Sequence, residues 1–275
     1  MVLGLVLSQA APGPASKAMA EGRTRYERRA EGARGPVART EPIEAAIAAY
    51  RRALVVDPYS IEGSLGLLRS LFFRGGFTDV DQDTERRVFT EARDVAVVAV
   101  ARLEKRVGKA EGDARIATLR EIPGAAALYL WAGISWGQWA ISTSKLAAAR
   151  QGAAGRIRKL AETSLALDEG LEQGSAHVLL GRLHDQSPRI PFLTFWISRK
   201  AALRHLEAAH AMSPGNTLAQ YFLAEAILRR APERTGEAKR LLQECASAAP
   251  RPEFLVEDAH YAAQARQRLD ELGPG

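Results

Sequence analysis

The sequence predicts an all-α fold, an array of helix pairs stacked side by side, and three observations predict it. One residue pattern recurs at fixed offsets, glycine and proline clusters cut the chain into helix-length pieces, and no stretch alternates like a half-buried strand. The pattern is Ala46, Tyr50, Ala53 and Pro58, recurring as Ala202, Leu206, Ala209 and Pro214, and again as Ala238, Leu242, Cys245 and Pro250. The small residues let neighbouring helices approach, the larger residue fills the gap on the same face, and the proline ends the helix.

Those offsets of four, seven and twelve are the second-helix half of a tetratricopeptide repeat. The first-helix half is visible in Leu180, Gly181 and His184, which fit its Leu-Gly-x-x-Tyr element, the glycine allowing close contact with the adjacent helix. Periodicity and breakers then place helices near 16–31, 41–56, 60–74, 83–107, 124–149, 153–168, 171–185, 197–212, 216–230, 234–248 and 253–271. Loops fall at 32–35, 75–76, 108–112 and 186–191, and nothing helical is assigned between 107 and 124. The expected architecture is a tetratricopeptide-like helical repeat array, about five helix pairs plus a capping helix. The 75–152 stretch departs most from the repeat, with longer helices and no closing proline. Residues 16–275 read as a single α-helical domain, and 1–15 as a truncated signal segment or a disordered N-terminus.

Composition is ordinary for a soluble globular chain, with 47% hydrophobic and 25% charged residues, and excludes the disorder signature. Net charge is +6, but basic and acidic residues interleave, as in Glu27-Arg28-Arg29-Ala30-Glu31, so no nucleic-acid stripe is expected. No apolar run reaches the roughly 20 residues of a membrane span. The single cysteine excludes an intrachain disulfide and any multi-cysteine metal site. At the N-terminus, the apolar run Val2-Leu3-Gly4-Leu5-Val6-Leu7 precedes the small residues of Ser8-Gln9-Ala10, an export-like arrangement without a basic region or a lipobox cysteine.

Candidate chemistry is sparse. The histidines lack the spacing of a zinc site and read individually as packing residues. Gly133-Ile134-Ser135-Trp136-Gly137 matches Gly-x-Ser-x-Gly only in spacing, because it sits inside a helix where no strand-to-helix elbow forms. Cys245 occupies a small-residue packing position. No enzyme activity and no cofactor or metal are therefore expected.

Two segments are candidates for binding. Three of the four tryptophans, Trp131, Trp136 and Trp139, lie with Tyr129 on one helix; they fill core or line a groove. Trp136 and Trp139 are neighbours there, whereas Trp131 lies well around the helix, and Gly133 and Gly137 suit close helix contact. The loop at 186–199 offers Phe192, Phe195 and Trp196 beside Arg189 and Arg199, an interface-like mixture that alternatively tucks back onto the array.

The order of the Trp-rich helix, Leu167-Asp168-Glu169-Gly170, Gly174-Ser175-Ala176-His177 and the loop before Ala201 resembles the T-component family of tripartite ATP-independent periplasmic (TRAP) transporters, over roughly residues 85–271. The resemblance implies an exported, non-enzymatic helical-repeat scaffold. Its expected partner is a periplasmic solute-binding protein, with a small ligand and homo-oligomerisation as further expectations and Tyr129, the tryptophans and His177 as candidate contacts. The Arg-rich segment before residue 40 has no counterpart in that family, and anchoring through a lipidated cysteine has no residue to carry it. The alternative is a generic adaptor, periplasmic or cytoplasmic, gripping a peptide or helix of a partner in its concave groove.

Overall fold

The structure, a computed structural model, describes residues 13–189 and 194–273. The apolar run at 2–7, the small residues at 8–10 and Phe192 lie outside the described residues. Among those described, thirteen α-helices form and no strand beyond isolated bridges. They are α1 (Pro14–Glu27), α2 (Thr40–Val56), α3 (Ile61–Phe77), α4 (Gln82–Val107), α5 (Gly112–Arg120), α6 (Ala125–Ser142), α7 (Lys145–Arg150), α8 (Ala153–Leu167), α9 (Leu171–Gln186), α10 (Arg199–Met212), α11 (Thr217–Arg230), α12 (Thr235–Ser247) and α13 (Leu255–Leu272).

The expected repeat array is present. The helices pair as α1/α2, α3/α4, α6/α8, α9/α10 and α11/α12, and α13 caps the end. All nine helical positions of the repeated pattern are buried, from Ala46, Tyr50 and Ala53 to Ala238, Leu242 and Cys245. Their burial follows from the offsets, since residues three and four apart share one helix face.

Close approach at glycine is equally concrete. Tyr50 lies between the notches of Gly22 in α1 and Gly66 in α3, and Leu206 lies over Gly181. A β-carbon at Gly181 would sit 2.5 Å from Leu206 Cγ and 3.2 Å from the Ala202 carbonyl oxygen. Gly181→Ala is therefore expected to lose about 1–3 kcal/mol through overpacking. Gly155→Ala in α8, with nothing within 4 Å, is expected to gain up to about 1 kcal/mol from helix propensity. Urea denaturation of the pair separates the two effects; equal midpoints would mean that Leu206 swings aside.

Four sequence expectations need correction. The loop expected at 75–76 is helical, because α3 runs through both glycines to Phe77. The helix expected over 124–149 is two helices, because Thr143 is extended and the Ser144 hydroxyl caps α7 by accepting from the Ala147 amide. The unassigned stretch contains α5, which buries only Leu119 and so shows little apolar periodicity. The first helix ends at Glu27, not 31, in tight turns that carry the chain toward α2.

The first helices of successive pairs touch in sequence, α1 to α3, α3 to α6, α6 to α9, α9 to α11 and α11 to α13, which makes them the inner layer. That layer then closes, because α13 also packs against α3. Phe77 of α3 meets His260 and Tyr261 of α13 at ring-centroid distances of 5.2 and 6.5 Å. Arg29, on the turn after α1, donates to the Glu257 carboxylate at 2.9 and 3.0 Å and to the Glu253 carbonyl. The concave face of the array is thus occupied by its own last helix.

No described helix is long and apolar enough to cross a membrane.

Candidate functional site

Closure leaves a cavity of about 270 Å³ along the inner layer, lined by α3, α6, α9, α11 and α13. Phe72 and Phe77 from α3 and Tyr221, Phe222 and Tyr261 from α11 and α13 supply aromatic wall. Gln138, Gln186, Gln264 and His260 supply neutral polar groups, His260 Nε2 and Gln264 Nε2 lying 2.8 Å apart. Burial holds the His260 imidazole below its ordinary pKa and pushes the Tyr261 phenol up to about 12, so both are neutral at pH 7.

The charged lining comes from α9 and α11. Arg229 bridges Asp185 at 2.6 Å and Glu225 at 2.7 Å, and Glu225 also accepts from Arg268 at 2.8 Å. Arg182 has its guanidinium carbon 4.0 Å from the centre of the Phe222 ring. Its Nε is wholly buried without a hydrogen-bond partner, and among the described residues it forms no ion pair.

Nearer the N-terminal ends of α3, α6 and α9 lies a second polar cluster. Glu172 accepts from Arg69 at 2.5 Å and from Trp131 Nε1 at 2.9 Å. Half-buried Tyr26 feels the charges of Arg29, Glu257, Arg69 and Glu172 together, and desolvation above all pushes its phenol up to about 12. Glu172 and Gln173 take left-handed backbone, φ 46° and 61°, a conformation that non-glycine residues hold only when their side chains are fixed. Gln173 Oε1 accepts from Ser213, Asn216 and Arg251, which provides that fixing.

The residues singled out from sequence fall into three places. Trp131 stands edge-on to Phe72 at 5.5 Å beside this cluster, whereas Trp136 and Trp139 contact each other at 5.4 Å in a separate core that includes Ile157, Leu183 and Ile197. Of the two glycines on α6, Gly133 meets Leu179 closely, a β-carbon there lying 2.7 Å from it, whereas Gly137 has ordinary clearance. The Tyr129 hydroxyl donates to Glu104 at 2.5 Å and accepts from Arg115 at 3.0 Å, tying α6 to α4 and α5. Cys245 is buried, its thiol pushed up to about 12 by desolvation, and it donates to the Thr217 carbonyl at 3.4 Å.

His177 is not the isolated packing residue the sequence suggests. Its Nδ1 lies 2.8 Å from His205 Nδ1, its Nε2 lies 3.3 Å from Glu169, and His184 stacks on His205 at 6.0 Å. Burial, then the neighbouring His177, holds His205 down to about 4, so the His205 ring is neutral at pH 7, and one of the two Nδ1 atoms donates across the short contact. Among the described residues, no group of three or more His, Cys, Asp or Glu has the placement to hold a metal ion.

The loop before α10 divides. Trp196 folds back, edge-on to His184 at 5.4 Å and under the Arg158 guanidinium at 4.7 Å. Phe195 stays 62% exposed, its carbonyl accepting from Arg189 Nε at 3.1 Å, and Arg199 is exposed at the first turn of α10.

The axial cavity went unrecognised in the sequence because its residues are spread over five helices. The available signal was a polar stripe at i, i+4 on successive first helices: Arg182/Gln186, Tyr221/Glu225/Arg229 and His260/Gln264.

No protein-family model matches the chain, and no curated protein does. Among solved structures, a monomeric mutant of IFIT1 with Gppp-AAAA is 17% identical with a TM-score of 0.40, covering 85% of this chain and 52% of that one. A second IFIT1 mutant, with m7Gppp-AAAA, gives 18% and 0.40 over the same shares. Yeast Tom70 is 14% identical with a TM-score of 0.28, over 97% of this chain and 67% of that one. The chain spans about half the length of the IFIT1 structures, 52% of each. These likenesses carry nothing finer than helical stacking. The repeat offsets, the glycine notches and the five helix pairs define the class: a tetratricopeptide-like helical-repeat protein whose inner face is closed by its own capping helix.

Proposed function

We propose that the chain is a non-enzymatic, exported helical-repeat scaffold that holds a protein partner on its outer surface and a small ligand in its axial cavity. This is the arrangement expected of a TRAP-type T-component working beside a periplasmic solute-binding protein. The observation that carries the reading is the closure of α13 onto α3. An adaptor that grips a helix along its inner layer needs an open groove, and α13 packed against α3 takes that place. The space that remains, about 270 Å³, lies just under the roughly 300–1,000 Å³ of small-molecule sites, which suits a compact ligand. The closed inner face therefore favours a ligand inside and a partner outside over the generic peptide-gripping adaptor. Exposed Phe195, flanked by Arg189 and Arg199, gives the outer surface an aromatic anchor beside cations, the composition that interfaces favour.

Affinity capture of the tagged full-length protein from its native cells, with mass spectrometry of what co-purifies, tests the reading. Recovery of a periplasmic solute-binding protein, weakened at least tenfold by Phe195→Ala, is the expected result. Recovery of cytoplasmic proteins alone would sink it and return the chain to the general adaptor class.

A further inference from the structure

Resting on the axial cavity as a ligand site, we propose that it takes a small monocarboxylate with an apolar body and that Arg182 binds the carboxylate. The inference starts from an uncompensated charge. Arg182, Arg229 and Glu225 line the cavity, and Asp185, Arg230, Arg268 and Glu271 complete the ion-pair network of Arg229 and Glu225. Asp185 is taken by Arg229 and Arg230, Glu225 by Arg229 and Arg268, and Glu271 by Arg268. Arg182 is the cation left over, and its Nε is buried with no acceptor. Burial pulls its pKa below the ordinary guanidinium value, yet a guanidinium stays protonated in proteins, so the charge remains.

Arg182 is half-buried, and a cation whose Nε is wholly buried without an acceptor is a group that native structures rarely keep without a use. The missing partner has a definable chemistry. A guanidinium offers a planar fork of N–H donors that matches a carboxylate, and the Phe222 ring beneath it holds that plane in place. One unpaired cation calls for one anionic group. A second carboxylate on the ligand would meet Glu225 in the wall, which already serves two arginines. The body of the ligand would face Phe72, Phe77, Tyr221 and Tyr261, so it is apolar or aromatic, and about 270 Å³ limits it to a small molecule.

The test is calorimetric titration of the full-length protein with butanoate, hexanoate, benzoate and phenylacetate, with their primary amides, and with succinate. The acids are expected to bind about 10- to 100-fold more tightly than the amides, the range for losing a charged hydrogen-bond partner. Succinate is expected to bind more weakly than hexanoate. Arg182→Met keeps the side-chain volume and removes the charge, so it is expected to abolish the preference for acids while raising the Tm of the ligand-free protein by about 2–4 °C. A variant that is more stable cannot have lost binding by unfolding. Amides binding as well as acids, unaffected by Arg182→Met, would overturn the anion assignment and leave the cavity as a ligand site. No binding by any probe would overturn both, and a lower Tm for Arg182→Met would make Arg182 structural and overturn the assignment.

Discussion

Arg29→Met is expected to destabilise the protein by about 3–5 kcal/mol at pH 8, a fall in Tm on the order of 10 °C. Arg29 is only 8% exposed and joins parts of the chain 228 residues apart, so its loss acts on the closure itself. Its guanidinium spans the Glu257 carboxylate and the Glu253 carbonyl and lies over the Tyr26 and Phe73 rings at 4.6 and 5.3 Å. Methionine retains part of the ring contact and none of the charge, which strands Glu257, whose Oε2 already lacks a partner.

The effect has a pH signature. Burial raises the Glu257 pKa even with Arg29 opposing it, so removing Arg29 raises it further. A carboxyl whose folded pKa is raised contributes stability that is fully present below its unfolded value, about 4.3. That stability is lost as pH rises through the folded value. The gap between parent and variant is therefore expected to widen from pH 5 to pH 8. Glu257→Gln, which leaves no carboxylate to desolvate, is expected to cost less than Arg29→Met at pH 8. Urea midpoints at the two pH values measure all of this; a loss below about 1 kcal/mol, flat with pH, would show that closure does not depend on the pair.

Much of the fold was legible because tetratricopeptide packing is written locally. Ala202, Leu206 and Ala209 announce a buried face within two turns, and Gly181 announces where Leu206 fits. The gaps in that reading have physical causes. α5 buries a single leucine, and the break before α7 hangs on one serine cap in a run of Ser-Thr-Ser. The candidate site was far less legible. Arg182 looks like any solvated helical arginine until α11 and α13 come round to face it, and the separation of those elements is set by superhelical curvature. The histidines failed for the same reason: His177 and His205 are 28 residues apart and meet only because α9 packs on α10.

Trp131→Ala is the second large expected effect, about 3–5 kcal/mol, the range for deleting a buried aromatic side chain. Trp131 is 9% exposed, edge-on to Phe72 and beneath the Arg69 guanidinium at 5.4 Å. Its indole N–H is also one of two donors that fix the Glu172 carboxylate, and Glu172 holds a left-handed backbone that costs about 1–2 kcal/mol per non-glycine residue. Trp131→Phe separates the two roles: it keeps most of the ring and drops the donor, for an expected loss of about 1–2 kcal/mol. Trp131 does not line the axial cavity, although its neighbour Phe72 does. Carboxylate affinity in Trp131→Phe is therefore expected to stay within about twofold of the parent while urea stability falls. The reverse pattern, stability unchanged and affinity lost, would move the ligand from the α9–α11–α13 side of the cavity to the tryptophan helix. It would also make Trp131 a contact residue and not a strut.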